Sequence, residues 1–392
     1  MNKVITKTEM KLTKHVKYFF KSEKSTGIVL IIATIFSLII TNSNFGKAYH
    51  HFWQLPLFNE TVEHWINDGL MTIFFLLVGL ELKRELFYGE LSNKREAMLP
   101  ILAAIGGMLV PACFYLAFNF GTETQSGFGI PMATDIAFSL GILSLLGKRV
   151  PISLKIFLTA LAVIDDLGAI AIIGFFYTTS LVWMNLFLAL GIYAVLIILN
   201  KLKVNSLFIY LIGGIVMWYF MLHSGIHATI TGVLLAFVIP FENGAKDSKA
   251  YSLQNLLHKP VAFFILPIFA LANTSIFLNA SISQIISENY TKGIALGLIL
   301  GKPIGIFLFA YLATVLKFCQ LPKDLNWRHI LGIGSIAGIG FTVSVFITIL
   351  AFKNETIANN AKLMVLIASL ISGTIGLIVL SRTLKRTSTI EQ

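Results

Sequence analysis

The sequence predicts an all-α integral membrane protein of about twelve transmembrane helices, and three observations carry that prediction. Of the 392 residues, 56% are hydrophobic and only 12% charged, whereas an average soluble domain is roughly a quarter charged. Apolar runs of the length that crosses a bilayer as helix, ~20 residues, recur along the whole chain. The Lys and Arg residues fall almost entirely in alternate connections between those runs. A β-barrel would instead show alternating segments of about ten residues, and a soluble chain of this size would need more charge to cover its surface.

Taken in order, residues 1–25 form a basic tail containing seven lysines. No apolar stretch with a small-residue cleavage site accompanies them, so a cleaved signal peptide is not expected. Spans are expected at 26–43, 65–87, 97–118, 126–147, 152–177, 182–200, 204–222, 226–241, 256–279, 291–316, 329–351 and 361–381. Their connections are short, which makes 26–381 one transmembrane domain followed by a tail over 382–392. The segment 44–64 is aromatic and turn-containing. It reads either as an interfacial belt around Tyr49 and Trp53 or as a small hairpin touching another subunit.

Two spans are interrupted. The fourth carries Gly127, Gly129 and Pro131 ahead of Thr134-Asp135, and proline both removes a donor and biases its predecessor away from helix. The eleventh carries Gly332, Gly334, Gly338 and Gly340. Each interruption lies in the middle member of a triplet, spans three to five and ten to twelve. That placement predicts inverted-topology repeats with a site at the bilayer midplane. The alternative is that the glycines serve close helix packing alone.

The net charge of +11 would suggest nucleic acid in a soluble chain; here it reports topology. With twelve spans both termini share one side. That side holds 25 Lys/Arg, the opposite side holds four (Lys47, Lys292, Lys353, Lys362), and Lys302 sits inside a span. The positive-inside rule makes the first side cytoplasmic. No nucleic-acid partner is expected. The two cysteines, Cys113 and Cys319, form no disulfide framework or metal motif.

Ionisable residues inside spans are costly and mark function. They are Asp68, Asp135, Asp165, Asp166 and Lys302, with Glu81 nearer a cytoplasmic end. Asp165 and Asp166 lie halfway along the fifth span, and adjacent helical residues point ~100° apart. One carboxylate can therefore face a water-filled cavity while the other meets a neighbouring helix. Desolvation and mutual repulsion disfavour two simultaneous charges, so such a pair can trade a proton for a cation. Oxygen ligands suit a hard ion such as Na+ or Li+. Lys302 is expected to neutralise Asp165, leaving Asp166 for the ion; snorkelling to an interface is its alternative. Thr134 offers a hydroxyl and a carbonyl. Asp135 either balances the exposed half-helix dipole or ligates directly. Glu81, Lys83, Arg84 and Glu85 read as a solvated helix-end cluster or as a functional one. His227 reads as a satisfied helix-start histidine or as a pH-sensitive group.

The blocks N-D-G-L-M-T-I-F-F-L-L-V-G-L-E-L-K-R-E-L (67–86), I-P-M-A-T-D-I-A-F-S-L-G (130–141), A-V-I-D-D-L-G-A-I (162–170), S-G-I-H-A-T (224–229), G-K-P-I-G (301–305) and G-I-G-F-T-V-S (338–344) resemble the NhaA sodium/proton antiporters along almost the whole chain. The inverted-repeat rule takes that family as one of its own examples. The resemblance implies a twelve-helix fold with crossing broken helices, and electrogenic export of Na+ or Li+ against protons by alternating access, activated at alkaline pH. It implies an ion/proton site at Asp165, Asp166 and Thr134, with Asp135 and Lys302 compensating half-helix dipoles. It assigns Glu81, Arg84 and Glu85 to a cytoplasmic pH-response region, to which His227 is added as the pH-sensitive candidate named above, and the 44–64 segment to a homodimer contact. The chain would then be a multi-pass protein of the bacterial inner membrane with both termini cytoplasmic. One departure stands out: the family has an acidic residue near the start of span nine where this chain has Gln254.

Other classes fit less well. A channel would need a continuous polar pore. A symporter for an organic substrate would need a larger specific pocket. An enzyme would need an interfacial catalytic or metal constellation, and neither that nor a nucleotide-binding loop is present. No cofactor and no catalytic residue is expected; the cargo is Na+ or Li+ and protons.

Overall fold

The computed structural model describes residues 23–178, 181–241, 248–278 and 281–384; most of the basic tail and the end of the C-terminal tail lie outside the described residues. The chain opens with α1 (Glu23–Thr41) and α2 (Gly46–Gln54), then a two-stranded hairpin, β1 (Pro56–Leu57) and β2 (Glu60–Thr61). A single turn, α3 (Val62–His64), continues through a π-helical turn at Trp65–Leu70 into α4 (Met71–Phe87). After α5 (Lys94–Asn119) comes a 3-10 helix, Gln125–Met132, an extended break, and α6 (Ile136–Leu143). Next are α7 (Ile152–Phe176), α8 (Trp183–Lys201), α9 (Leu207–Leu222) and α10 (Ile230–Val238). A π turn at Val261–Ile265 joins α11 (Lys249–Pro260) to α12 (Leu266–Asn273). Beyond α13 (Ile282–Ser287), a second such turn at Gly297–Gly301 joins α14 (Asn289–Leu296) to α15 (Lys302–Val315). The chain ends with α16 (Trp327–Ala337), α17 (Phe341–Ala351) and α18 (Glu355–Thr383).

Among the described residues, eight helical runs are long and apolar enough to cross a bilayer, and two bent pairs raise the number to ten. The pairs are α1 with α2, turned by 114°, and α16 with α17, turned by 49°. The two remaining expected spans are represented by the shorter α9 and α10. The eighth is truncated relative to the expected 226–241: helix covers only Ile230–Val238, and the residues before it form turns. Gly225, at φ 87°, sets the left-handed turn that excludes helix there. Nine residues rise only about 14 Å, so α10 reaches part of the way through a bilayer.

The solvent of this fold is apolar. Helix α8 buries only Ala189 and Leu196, while Phe187, Phe208 and Ile215 on α8 and α9 are each more than 60% exposed. A belt of that kind has no partner in water. The inside is packed closely. Where α5 crosses α15, a Cβ on Gly106 would run into the Gly305 carbonyl and one on Gly305 into the Gly106 carbonyl. Small residues are what permit backbones to approach this closely in a membrane, and this crossing fixes the start of α15, where Lys302 lies.

Candidate functional site

The interruption in the fourth span takes a definite form. Pro131 lies within the 3-10 helix, Ala133 is extended, and Asp135 caps α6. In the eleventh span Gly338–Gly340 separate α16 from α17. The two breaks meet. The Asp135 N–H donates to the Ile339 carbonyl (2.7 Å), and Ser344 Oγ donates to Ile130 O (2.7 Å). Ser139 Oγ donates to Ile336 O (3.2 Å). Backbone groups orphaned by each break are thus satisfied by the other, as the hydrocarbon region requires.

Broken helices expose partial charges at their ends, and buried side chains answer them. Asp135 Oδ1 accepts from the Phe138 N–H (2.9 Å). Its Oδ2 accepts from the Thr342 N–H (3.1 Å) and from Thr342 Oγ1 (2.6 Å). One carboxylate therefore caps the N-termini of both α6 and α17. Ser369 of α18 adds a second cap, its Oγ accepting from the N–H groups of Gly340 (3.2 Å) and Phe341 (3.3 Å). At the opposite pole, Lys302 Nζ donates to the Met132 carbonyl at the end of the 3-10 helix.

Lys302 is fully buried, and its Nζ lies 2.9 Å from Asp165 Oδ2. Thr134 Oγ1 stands 2.7 Å from that same oxygen and 2.9 Å from Ala337 O, so one hydroxyl proton serves two acceptors. Asp166 is also buried. Its Oδ1, like Asp165 Oδ1, has no hydrogen-bond partner among the described residues. The charges then divide: Lys302 balances Asp165, helix ends and hydroxyls balance Asp135, and Asp166 is left over. A buried carboxylate in that position needs a proton or a cation.

The expected pH-response residues do not gather in one place. Glu81 and Arg84 line a cavity of about 390 Å³ together with Gln254 and His258; Arg84 pairs with Glu85 (2.8 Å). His227 lies elsewhere, in the turn before α10. Its Nε2 is 3.0 Å from the Tyr177 carbonyl, beside a cavity of about 480 Å³ that also takes in His64 and Asp68. Asp68 is paired with His64 (3.1 Å) in the π turn that begins α4. Since Asp68 and Glu81 are thirteen residues apart on one helical run, the two cavities are about 20 Å apart.

Lys83 departs from the solvated cluster expected for it. It is buried, and its Nζ donates to the carbonyls of Ala236 (3.3 Å), Phe237 (2.8 Å) and Ile239 (2.7 Å). Helix α10 is short and ends inside the protein, so its last carbonyls need a donor. Sequence reasoning also missed Thr342 and Ser369. Thr342 lies two residues after the Gly338–Gly340 break, where its hydroxyl donates to Asp135 from the first turn of α17; its place beside the break was the usable signal, whereas Ser369 comes from a distant helix and carried none.

A family model described as Na+/H+ antiporter 1 matches residues 17–380. The chain is 64% identical over 378 residues to the Na(+)/H(+) antiporter NhaA of Flavobacterium psychrophilum, covering 96% of this chain and 98% of that one. It is 58% identical to Na(+)/H(+) antiporter NhaA 1 of Flavobacterium johnsoniae, covering 95% and 97%. To the Na(+)/H(+) antiporter NhaA of Vibrio cholerae it is 46% identical, covering 92% and 96%.

Proposed function

The chain belongs to the NhaA-type Na+/H+ antiporter family, and from that premise we propose that it exchanges Na+ or Li+ for protons at the crossing of its two broken helices. Asp166, buried with an unpartnered oxygen, is the observation that carries the reading. Asp165, Asp166 and Thr134 form the ion and proton site, and occupancy by H+ excludes occupancy by Na+. Asp135 and Lys302 neutralise the ends of the half-helices, which the capping distances support. When a cation approaches, Asp165 can leave Lys302 for it, since Thr134 already links Asp165 to the α16 end. Two carboxylates facing one cation provide for more than one proton per Na+, which supports an electrogenic cycle. Alternating access follows from moving one triplet of spans against its neighbours around a fixed midplane site. No resident cofactor takes part; Na+, Li+ and H+ are cargo.

The same reading assigns the pH response to Glu81, Arg84 and Glu85 at one end of α4 and to His227 at the other. It puts the chain in a bacterial inner membrane with both termini cytoplasmic, as the cation distribution supports. It makes the 44–64 segment, now a short helix and a hairpin, the contact of a homodimer.

Everted vesicles with an imposed pH gradient test the exchange. Na+ or Li+ should collapse the gradient with the wild-type chain and leave it standing with Asp166→Asn. Collapse by K+ instead would refute the ion assignment, and normal transport by Asp166→Asn would refute the site.

A further inference from the structure

The cavity at the Glu81 end of α4 holds more oxygen than a passive vestibule needs. Its walls come from α1, α4, α6, α7, α11, the π turn that follows α11 and the start of α12, and they are mostly apolar. Among them sits Gln254, only 5% exposed, whose Oε1 has no hydrogen-bond partner among the described residues. A buried amide oxygen left unpaired is costly. Rotation about the terminal side-chain bond exchanges amide oxygen and nitrogen, so the oxygen can be turned to the cavity. Further wall residues bring oxygen, among them Glu81, whose ion-pair contact is His258 Nδ1 at 3.8 Å, and Thr159 on α7; Thr26 and Asn255 also line the space. Arg84 also faces this space, but its guanidinium is held by Glu85 at 2.8 Å, which offsets its charge.

We infer that this cavity is a second, transient site for a monovalent cation, with Glu81, Gln254 and Thr159 supplying carboxylate, amide and hydroxyl oxygens. This rests on the exchange proposed above and adds an antechamber to it. Oxygen donors of these kinds select hard ions. Thr159 precedes Asp166 by seven residues on α7, two turns, so both lie on one face of the helix. The rise between them is about 10 Å, a single step for an ion leaving the antechamber. Gln254 suits a waiting position: a neutral amide helps replace water around the ion without adding a charge that would trap it.

The test uses the full chain in lipid nanodiscs and Na+ alone as the probe, followed by the broadening of its 23Na resonance. Asp166→Asn, which removes the transport site, should retain a saturable Na+ signal. Adding Gln254→Met or Glu81→Gln to it should weaken the residual affinity about five-fold or more, the loss of one oxygen partner. Gln254→Glu, close to isosteric and the guard against misfolding, should tighten it. Loss of all saturable binding in Asp166→Asn alone, or residual binding indifferent to Gln254→Met and to Gln254→Glu, overturns the antechamber. A wild-type chain that exchanges Na+ for H+ but shows one class of Na+ site defeats only this inference. A wild-type chain with no exchange defeats the functional reading beneath it.

Discussion

Lys302 and Asp165 are each buried without access to solvent, and each would be expensive alone. Breaking such a pair from one side is strongly destabilising, because it leaves an uncompensated charge, whereas removing both partners is often neutral. A double-mutant cycle should therefore be far from additive. Lys302→Met alone is expected to cost about 3 kcal/mol or more of stability, and Lys302→Met with Asp165→Asn should recover most of it. Thermal unfolding of purified protein checks this; additive losses would mean that the 2.9 Å contact is not an energetic pair. Both variants should fail in vesicle exchange, which separates the stability contribution of the pair from its transport role.

At the scale of elements, the interior organises itself around helix ends rather than helix middles. Asp135 joins α6 to α17, Ser369 secures α17 from α18, and Lys83 closes α10. The last has the clearest consequence. Lys83→Met leaves three buried carbonyls of α10 and its exit without their donor, at a cost of about 1–3 kcal/mol. Differential scanning fluorimetry should register that loss, with Lys83→Arg recovering part of it. The apparent affinity of the Asp166 site for Na+ should stay at the wild-type value, because neither Lys83 nor α10 supplies a ligand there. An altered Na+ affinity with unchanged stability would contradict a capping role. This element also shows where sequence reading stops. Lys83 sits between Glu81 and Arg84 in a run of charges, which reads as a solvated helix end. Only the tertiary position of α10, itself shortened by the turn at Gly225, turns the lysine inward. Asp165, Asp166 and Lys302 were legible because hydrocarbon tolerates no idle charge, and the two breaks because glycine and proline leave a local mark. The division of labour between the aspartates, and the separation of His227 from Glu81 by the length of α4, depend on helix placement that no local pattern encodes.

For the whole molecule, the hairpin β1–β2 is the feature that a single chain explains least. Its register pairs Pro56 with Thr61 and Leu57 with Glu60, so Phe58 and Asn59 form the turn. Phe58 adopts φ 57°, a conformation unfavourable for a bulky side chain, and is 87% exposed. Leu57, beside it on β1, is 47% exposed as well. Trp65 Nε1 donates to the Leu57 carbonyl (2.9 Å), but among the described residues no third strand joins either edge of the ribbon, and open edges are templates for another chain. Pairing with the same hairpin of a second copy would satisfy those edges and cover the apolar side chains, as a two-fold contact allows. Behind the hairpin, Gln54 Nε2 donates to Glu63 Oε2 (2.7 Å), and Lys362 Nζ of α18 lies 3.9 Å from Glu63 Oε1, so the ribbon is fastened to the transport bundle. Replacing residues 56–61 by a short Gly-Ser link should thus convert a dimer into a monomer in native mass spectrometry from mild detergent. Phe58→Asp should weaken the dimer by about ten-fold or more, since it places a charge in an apolar contact. Exchange activity in vesicles should survive both changes, because every proposed ion ligand belongs to one chain. A dimer that persists without the hairpin would move the subunit contact to another face, and loss of exchange in a monomer that still folds would make dimerisation part of the transport cycle.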